Sequence, residues 1–279
     1  MMFTLFGDYI MQRGGEVWVG SLIRIAAEFG LSQQAVRSAL SRMSQKGWLQ
    51  VHHVGNRSYY GPTSRTKRLL EEGERRIFVR DAGSWDRRWH ILVYSIPERK
   101  RDVRAELRKQ LAWLGFAPLS SGSWICANDV EEDARALATQ LGIAGHVEMF
   151  SSQHLGPSEE RELAARCWDL EGINRRYRTF IDKWGPEFER ARRAGLLPDG
   201  ECFVQRFLLI HEYRKFFFID PDLPPDLLPD VWCGREAREL FHAYHQFLAE
   251  RANRYFDAVF EAPPSWRHSS TAAPVAAGA

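Results

Sequence analysis

The sequence predicts a multidomain α+β protein with an N-terminal winged helix-turn-helix, a middle ferredoxin-like α/β sandwich and a C-terminal helical bundle. Three observations predict it. Residues 29–70 carry seven Lys and Arg and no Asp or Glu, inside a helix, turn, helix, hairpin pattern. Residues 89–154 alternate strand-like and helix-like runs, and from Glu159 onward apolar and aromatic residues recur at helical spacing. At 279 residues the chain has room for two or three cores. The expected boundaries are 1–82, 85–156 and 157–261, with 262–279 as a disordered tail of Ala, Pro, Ser and Gly without periodicity.

Trp18 to Gly30 reads as the first helix of the pair, joined by Phe29-Gly30-Leu31-Ser32 to a second helix from Gln33 to Met43. Ser32 is the expected N-cap, its hydroxyl taking an orphan amide of the first turn. Ala35/Val36, Ala39/Leu40 and Met43 are expected to face the core. That phase leaves Gln33, Gln34, Arg37, Ser38, Ser41 and Arg42 on the outer face. These side chains read base edges: Arg pairs with guanine O6/N7, Gln with adenine N6/N7, and Ser reaches bases or phosphates. An ordinary solvated helix face mixes both charge signs, and this one has no acidic residue.

Lys46-Gly47 marks the end of that helix. Trp48 to Val54 and Arg57 to Tyr60 pair across a Gly55-Asn56 turn as a basic hairpin, whose tip (Gly55, Asn56, Arg57) is expected to touch the DNA backbone or minor groove. A connector helix follows, beginning near Arg65 and ending near Asp81 to Ser84. In the middle segment, Trp89–Pro97, Ser123–Ala127 and Val147–Phe150 read as strands. Glu98–Leu114 and Asp129–Leu141 read as helices, with Asp129 as N-cap. Beyond Glu159 three aromatic stripes follow. The first runs from Leu163 to Ile181, the second takes in Phe203, Phe207, Ile210, Phe217 and Phe218, and the third runs from Ala237 to Val259.

Gly7-Asp8-Tyr9, Gly14 through Leu22, and Val36-Arg37-Ser38-Ala39-Leu40-Ser41-Arg42 through Gly47-Trp48-Leu49 resemble the opening of the PaaX family of phenylacetate-degradation repressors. The resemblance continues in Trp85-Asp86-Arg87-Arg88-Trp89, in Ile210-His211-x-Tyr213-Arg214, and in Asp220-Pro221-x-Leu223-Pro224-x-x-Leu227-Leu228-Pro229, and so spans residues 3 to about 260. It implies a transcriptional repressor of aromatic acid catabolism, with phenylacetyl-CoA or a related acyl-CoA as effector. Such a ligand needs an apolar slot and cations for its phosphates. Arg206, His211, Tyr213 and Arg214 are the candidate contacts, with Arg175, Arg176 and Arg178 as a second basic cluster.

Middle domains of that family are similar to a small CRISPR adaptation nuclease fold, which carries an aspartate at the end of its first strand. Here that position holds Ser95, so metal-dependent phosphodiester cleavage lacks a ligand. A metal-dependent nuclease is therefore the second reading, behind a DNA-binding regulator that is not an enzyme and needs no cofactor. No Walker loop, nucleophile elbow or His-Glu-x-x-His run occurs. His242-x-x-His245 with Glu239 reads as surface residues.

Charge distribution supports the regulator. Residues 1–80 hold 12 Lys and Arg against 6 Asp and Glu, a surplus of +6 in a chain of net +2. A basic head on a mildly acidic body fits DNA binding, because basic contacts release counterions condensed on the polyanion. Cys126, Cys167, Cys202 and Cys233 form no Cys-x-x-Cys pair, which argues against structural zinc and for buried thiols in a reducing cytoplasm. No apolar run approaches the ~20 residues of a membrane span. The partners expected are an inverted-repeat operator in double-stranded DNA, an acyl-CoA effector and a second copy of the chain in a homodimer.

Overall fold

The structure is a computed structural model, and it describes residues 1–78, 85–195 and 197–264. The expected disordered tail lies outside the described residues from position 265, as does the end of the connector at Asp81–Ser84. The fold is mixed α+β, with two small antiparallel sheets among many helices.

The N-terminal segment opens with a short helix α1 (Met2–Leu5) that runs into a π-helical turn at Phe6–Ile10. Strand β1 (Val17–Trp18) precedes α2 (Val19–Ala27), and α3 spans Gln33–Gln45. The turn between α2 and α3 is fixed by Gly30 at φ 70°, with the Leu31 amide on Ala26 O and the Gly30 amide on Ala27 O. This is a Schellman closure, which satisfies helix-end carbonyls and needs a left-handed residue. Gly47 closes α3 in the same way at φ 69°. Strands β2 (Leu49–Val54) and β3 (Arg57–Pro62) form the expected hairpin, and α4 (Ser64–Phe78) follows. One strand of this segment was not expected. β1 pairs with β3 to make a three-stranded sheet, and two residues are too short to show alternation.

The middle segment runs β4 (Trp89–Tyr94), α5 (Arg101–Trp113), β5 (Ala117–Ser120), β6 (Ser123–Cys126), α6 (Glu131–Gln140) and β7 (Val147–Ser152). Strand order β5-β6-β4-β7 with a helix after β4 and after β6 is the βαββαβ order of a ferredoxin-like sheet. Leu92, Leu107, Leu111, Phe116, Trp124 and Leu137 centre its core. β5 is absent from the sequence expectation because it contains Pro118. It is tolerated since β5 lies at the sheet edge, where one face of the strand makes no ladder bonds. Asp129 does not cap α6 directly. The N-cap is Val130, and Asp129 accepts from the Glu131 amide one residue earlier.

Among the described residues four further helices follow: α7 (Glu160–Cys167), α8 (Leu170–Ala194), α9 (Asp199–Tyr213) and α10 (Gly234–Val259). Phe217 and Phe218 fall outside α9, in a 3₁₀ turn at Phe216–Phe218. The segment 157–261 does not form a bundle of its own. Among the described residues, 183–214 and 239–264 pack with 1–78, whereas 85–182 and 215–238 form a second compact unit.

In the first unit, Phe29 meets Phe207 at 4.5 Å and Phe203 at 5.9 Å between ring centroids. Tyr9 meets Phe203 at 5.2 Å and stacks on Phe256 at 4.8 Å. In the second, Trp113 packs on Phe217 at 4.3 Å, the Tyr177 hydroxyl donates to Asp220 Oδ2 at 2.5 Å, and Asn128 donates to the carbonyls of Pro221 and Asp222. The proline-broken run 220–229 is therefore a strap, its Leu223 and Leu227 buried against that unit.

Candidate nucleic-acid interface

α3 starts at Ser32, whose Oγ accepts from the Ala35 amide at 3.2 Å. Val36 and Leu40 are buried and Ala39 and Met43 half-buried, which sets the face turned inward. Ala35 is exposed, contrary to expectation, because it sits about 100° of helical rotation from the Val36–Leu40 stripe. Gln33, Gln34, Arg37, Ser38, Ser41 and Arg42 are all exposed and share the outer face. Among the described residues no carboxylate forms an ion pair with Arg37 or Arg42. Two unneutralised guanidiniums beside two amides and two hydroxyls make a donor-rich surface suited to an acceptor-rich partner.

The hairpin differs from expectation beside its turn. Gly55 turns at φ 57° and Asn56 is exposed, as a tip requires. Arg57 does not project alone. Its Nη1 donates to Glu261 Oε2 at 2.6 Å, and its guanidinium lies 4.4 Å from the centre of the Trp18 ring. The same glutamate accepts through Oε1 from Arg24 Nη2 of α2 at 2.7 Å. Glu261 is held by its backbone too: its amide donates to Ser21 Oγ at 3.0 Å and its carbonyl accepts from the Trp18 amide at 3.0 Å. Its carboxyl is held below the ordinary glutamate range: desolvation opposes ionisation, and the hydrogen bonds from Arg24 and Arg57 outweigh it. Hydrogen bonding to Glu261 likewise raises the Arg57 guanidinium above its ordinary value. In the hairpin, His52 stacks on Tyr59 and His53 pairs with the Ser58 hydroxyl, so the two imidazoles do not converge.

Arg206, His211, Tyr213 and Arg214 all lie on or beside α9 and turn toward the N-terminal segment and α10. Arg206 Nη1 is 3.3 Å from Asp8 Oδ2, with both side chains buried. Thr4 Oγ1 is shared between His211 Nδ1 at 2.9 Å and Arg214 Nη1 at 2.8 Å. Tyr213 stacks face to face on Phe241 at 4.0 Å. Burial lowers the Arg214 pKa. His245 was expected at the surface; it is buried instead, with Nε2 3.4 Å from Asp8 Oδ1. Burial pushes the Tyr9 hydroxyl pKa up, and the Arg206 guanidinium lies 5.0 Å from the centre of the Tyr9 ring. Burial, and then the neighbouring Asp8 charge, raise the Glu74 carboxyl. The first cluster expected for ligand thus builds a polar joint between α9, α10 and the N-terminal helical turns. Arg175, Arg176 and Arg178 stay exposed on α8.

Sequence reasoning missed three participants: Asp8, His245 and Glu261. Only Asp8 carried a signal, its place in the Gly7-Asp8-Tyr9 run. Glu261 is more than 200 positions from each arginine it binds. Among the described residues no three His, Cys, Asp or Glu gather as a metal site, and no helix is long and apolar enough to cross a membrane.

Three family profiles match the chain in succession: "PaaX-like protein" over residues 1–66, "PaaX protein central Cas2-like domain" over 82–164 and "PaaX-like protein C-terminal domain" over 168–258. The chain is 33% identical over 257 residues to the transcriptional repressor PaaX of Escherichia coli (strain K12), covering 90% of this chain and 80% of that protein. A solved structure, uncharacterized protein Rv0674 from Mycobacterium tuberculosis, is similar in fold. Its TM-score is 0.57 at 23% identity, covering 92% of this chain and 96% of that one.

Proposed function

The chain belongs to the PaaX family, and on that premise we propose that it is a transcriptional repressor that reads operator DNA through α3 and the hairpin β2–β3 as a winged helix-turn-helix. The observation that carries this reading is the outer face of α3, where Gln33, Gln34, Arg37, Ser38, Ser41 and Arg42 are exposed together and, among the described residues, no carboxylate pairs with Arg37 or Arg42. Residues 1–82, 85–156 and 157–261 then correspond to head, middle and effector segments, with Asn56 and Arg57 at the wing. The protein acts in the cytoplasm.

A second copy is part of the reading. One winged helix reads too few base pairs to find a site among ~10⁶–10⁹ competitors, so a homodimer on an inverted repeat is required. The effector is an aryl-acyl-CoA such as phenylacetyl-CoA, which lowers operator affinity. Arg206, His211, Tyr213 and Arg214 are its candidate contacts, and because Thr4, Asp8 and Phe241 engage them, a ligand reaching them must open that joint. An effector shifts the head only through its differential affinity for two arrangements of the protein, about 1–3 kcal/mol, and operator must weaken the effector by the same factor. Calorimetric titration with phenylacetyl-CoA, with and without operator, measures both arms. Equal affinity in the two states refutes the effector assignment.

The DNA-binding test is Arg37→Ala and Arg42→Ala, measured by anisotropy on operator and on mixed-sequence duplex. Each is expected to cost roughly 1–3 kcal/mol on operator and to relax preference at one base position. Wild-type affinity in both variants removes α3 from the interface.

A further inference from the structure

Arg24 and Arg57 stand apart from the other arginines of the head. Among the described residues no carboxylate pairs with Arg37 or Arg42, whereas Arg24 and Arg57 converge on one, supplied from the far end of the described chain. Each guanidinium takes a separate oxygen of Glu261, at 2.7 and 2.6 Å. Both guanidiniums lie over the Trp18 ring, Arg24 at 5.6 Å and Arg57 at 4.4 Å from its centre. Two arginines set on an aromatic platform around one singly charged, two-oxygen group is the arrangement that binds a phosphodiester, which offers the same charge and matching acceptors.

We infer that Arg24, Arg57 and Trp18 form a DNA-phosphate subsite beside the turn of the hairpin, and that Glu261 fills it in the free protein as an internal competitor. This rests on the DNA-binding reading above and adds a gate to it. The backbone of residue 261 is anchored independently, by the Ser21 hydroxyl and the Trp18 amide, so the side chain alone has to swing away. The latched site keeps a net charge of +1, two guanidiniums against one carboxylate, so it still attracts the polyanion while discounting its gain. DNA bound elsewhere on the head raises the local phosphate concentration and displaces the carboxylate, whereas isolated phosphates do not.

The test uses the full chain with Glu261→Gln, and with Glu261→Asp, which keeps the charge but shortens its reach. Thermal melts verify folding. Anisotropy of a labelled mixed-sequence duplex is read across a salt series. Both variants are expected to bind about 3- to 10-fold more tightly at ~100 mM salt, and Glu261→Gln to steepen the log affinity–log salt slope by about 1–2, the value for one or two further phosphates neutralised. Adding Arg57→Ala or Arg24→Ala to Glu261→Gln is expected to cancel the gain and to return the salt slope to the wild-type value or below it. Unchanged affinity and slope in both glutamate variants, with wild-type binding intact and salt-dependent, overturns the gate and leaves the repressor reading standing. Absence of salt-dependent binding in every protein overturns both.

Discussion

In the first unit the buried Asp8 carboxylate faces Arg206 at 3.3 Å and His245 at 3.4 Å. Both contacts lie at ion-pair distance without good hydrogen-bond geometry, so the cluster contributes little net stability while intact. Removing one partner is different, since it leaves an uncompensated buried charge. Asp8→Ala is expected to lower unfolding free energy by about 3–5 kcal/mol, read from the urea midpoint. Asp199 offers a contrast at the surface. Hydrogen bonds from Arg254 hold its carboxyl below the ordinary aspartate range. A carboxylate with a lowered folded pKa contributes stability that is present above its unfolded value and lost as pH falls through the folded one. The urea-midpoint difference between wild type and Asp199→Asn is therefore expected to hold from neutral pH down to the ordinary aspartate range and to vanish in stronger acid. A pH-independent difference counts against the pair.

At the scale of elements, the placement of α3 depends on its two ends. Ser32 satisfies an orphan amide at the start, and Gly47 supplies the left-handed residue at the end. Ser32→Ala is expected to cost about 1 kcal/mol, and Gly47→Ala a similar amount from strain alone, since the space around Gly47 is open. Both losses are readable from denaturant titrations with little change in m-value. These two residues were legible in the sequence because capping is local: the interaction closes within a few residues of the side chain that makes it. β1 and β5 were not, since a two-residue strand has no period and a proline at a sheet edge looks like a loop until its neighbour is known.

At the scale of the molecule, the head is completed by distant chain. Leu5, Phe6, Tyr9 and Ile10 are almost wholly buried, and Tyr9 and Phe29 rest on Phe203, Phe207 and Phe256 of α9 and α10. A fragment ending at residue 82 loses that cover. Expressed alone it is expected to bind a hydrophobic dye and melt without a cooperative transition, while the full chain unfolds cooperatively. Phe207→Ala in the full chain is expected to cost about 3–5 kcal/mol. A soluble, cooperatively folding 1–82 fragment contradicts this account of the head.

By itself, then, the sequence determined whatever is written in short-range pattern. That covers the helix pair with its turn, the hairpin, the alternating middle segment, the polar face of α3 and, through its motifs, the family. These are legible because periodicity, capping and turn chemistry act over a few residues. The tertiary structure alone decided which helices complete which core, that Arg206 and His245 face Asp8, and that Glu261 holds Arg24 and Arg57. Those contacts join residues about 200 or more positions apart. Burial and ion pairing depend on distance in space, and no local pattern in the chain records which distant side chain will arrive.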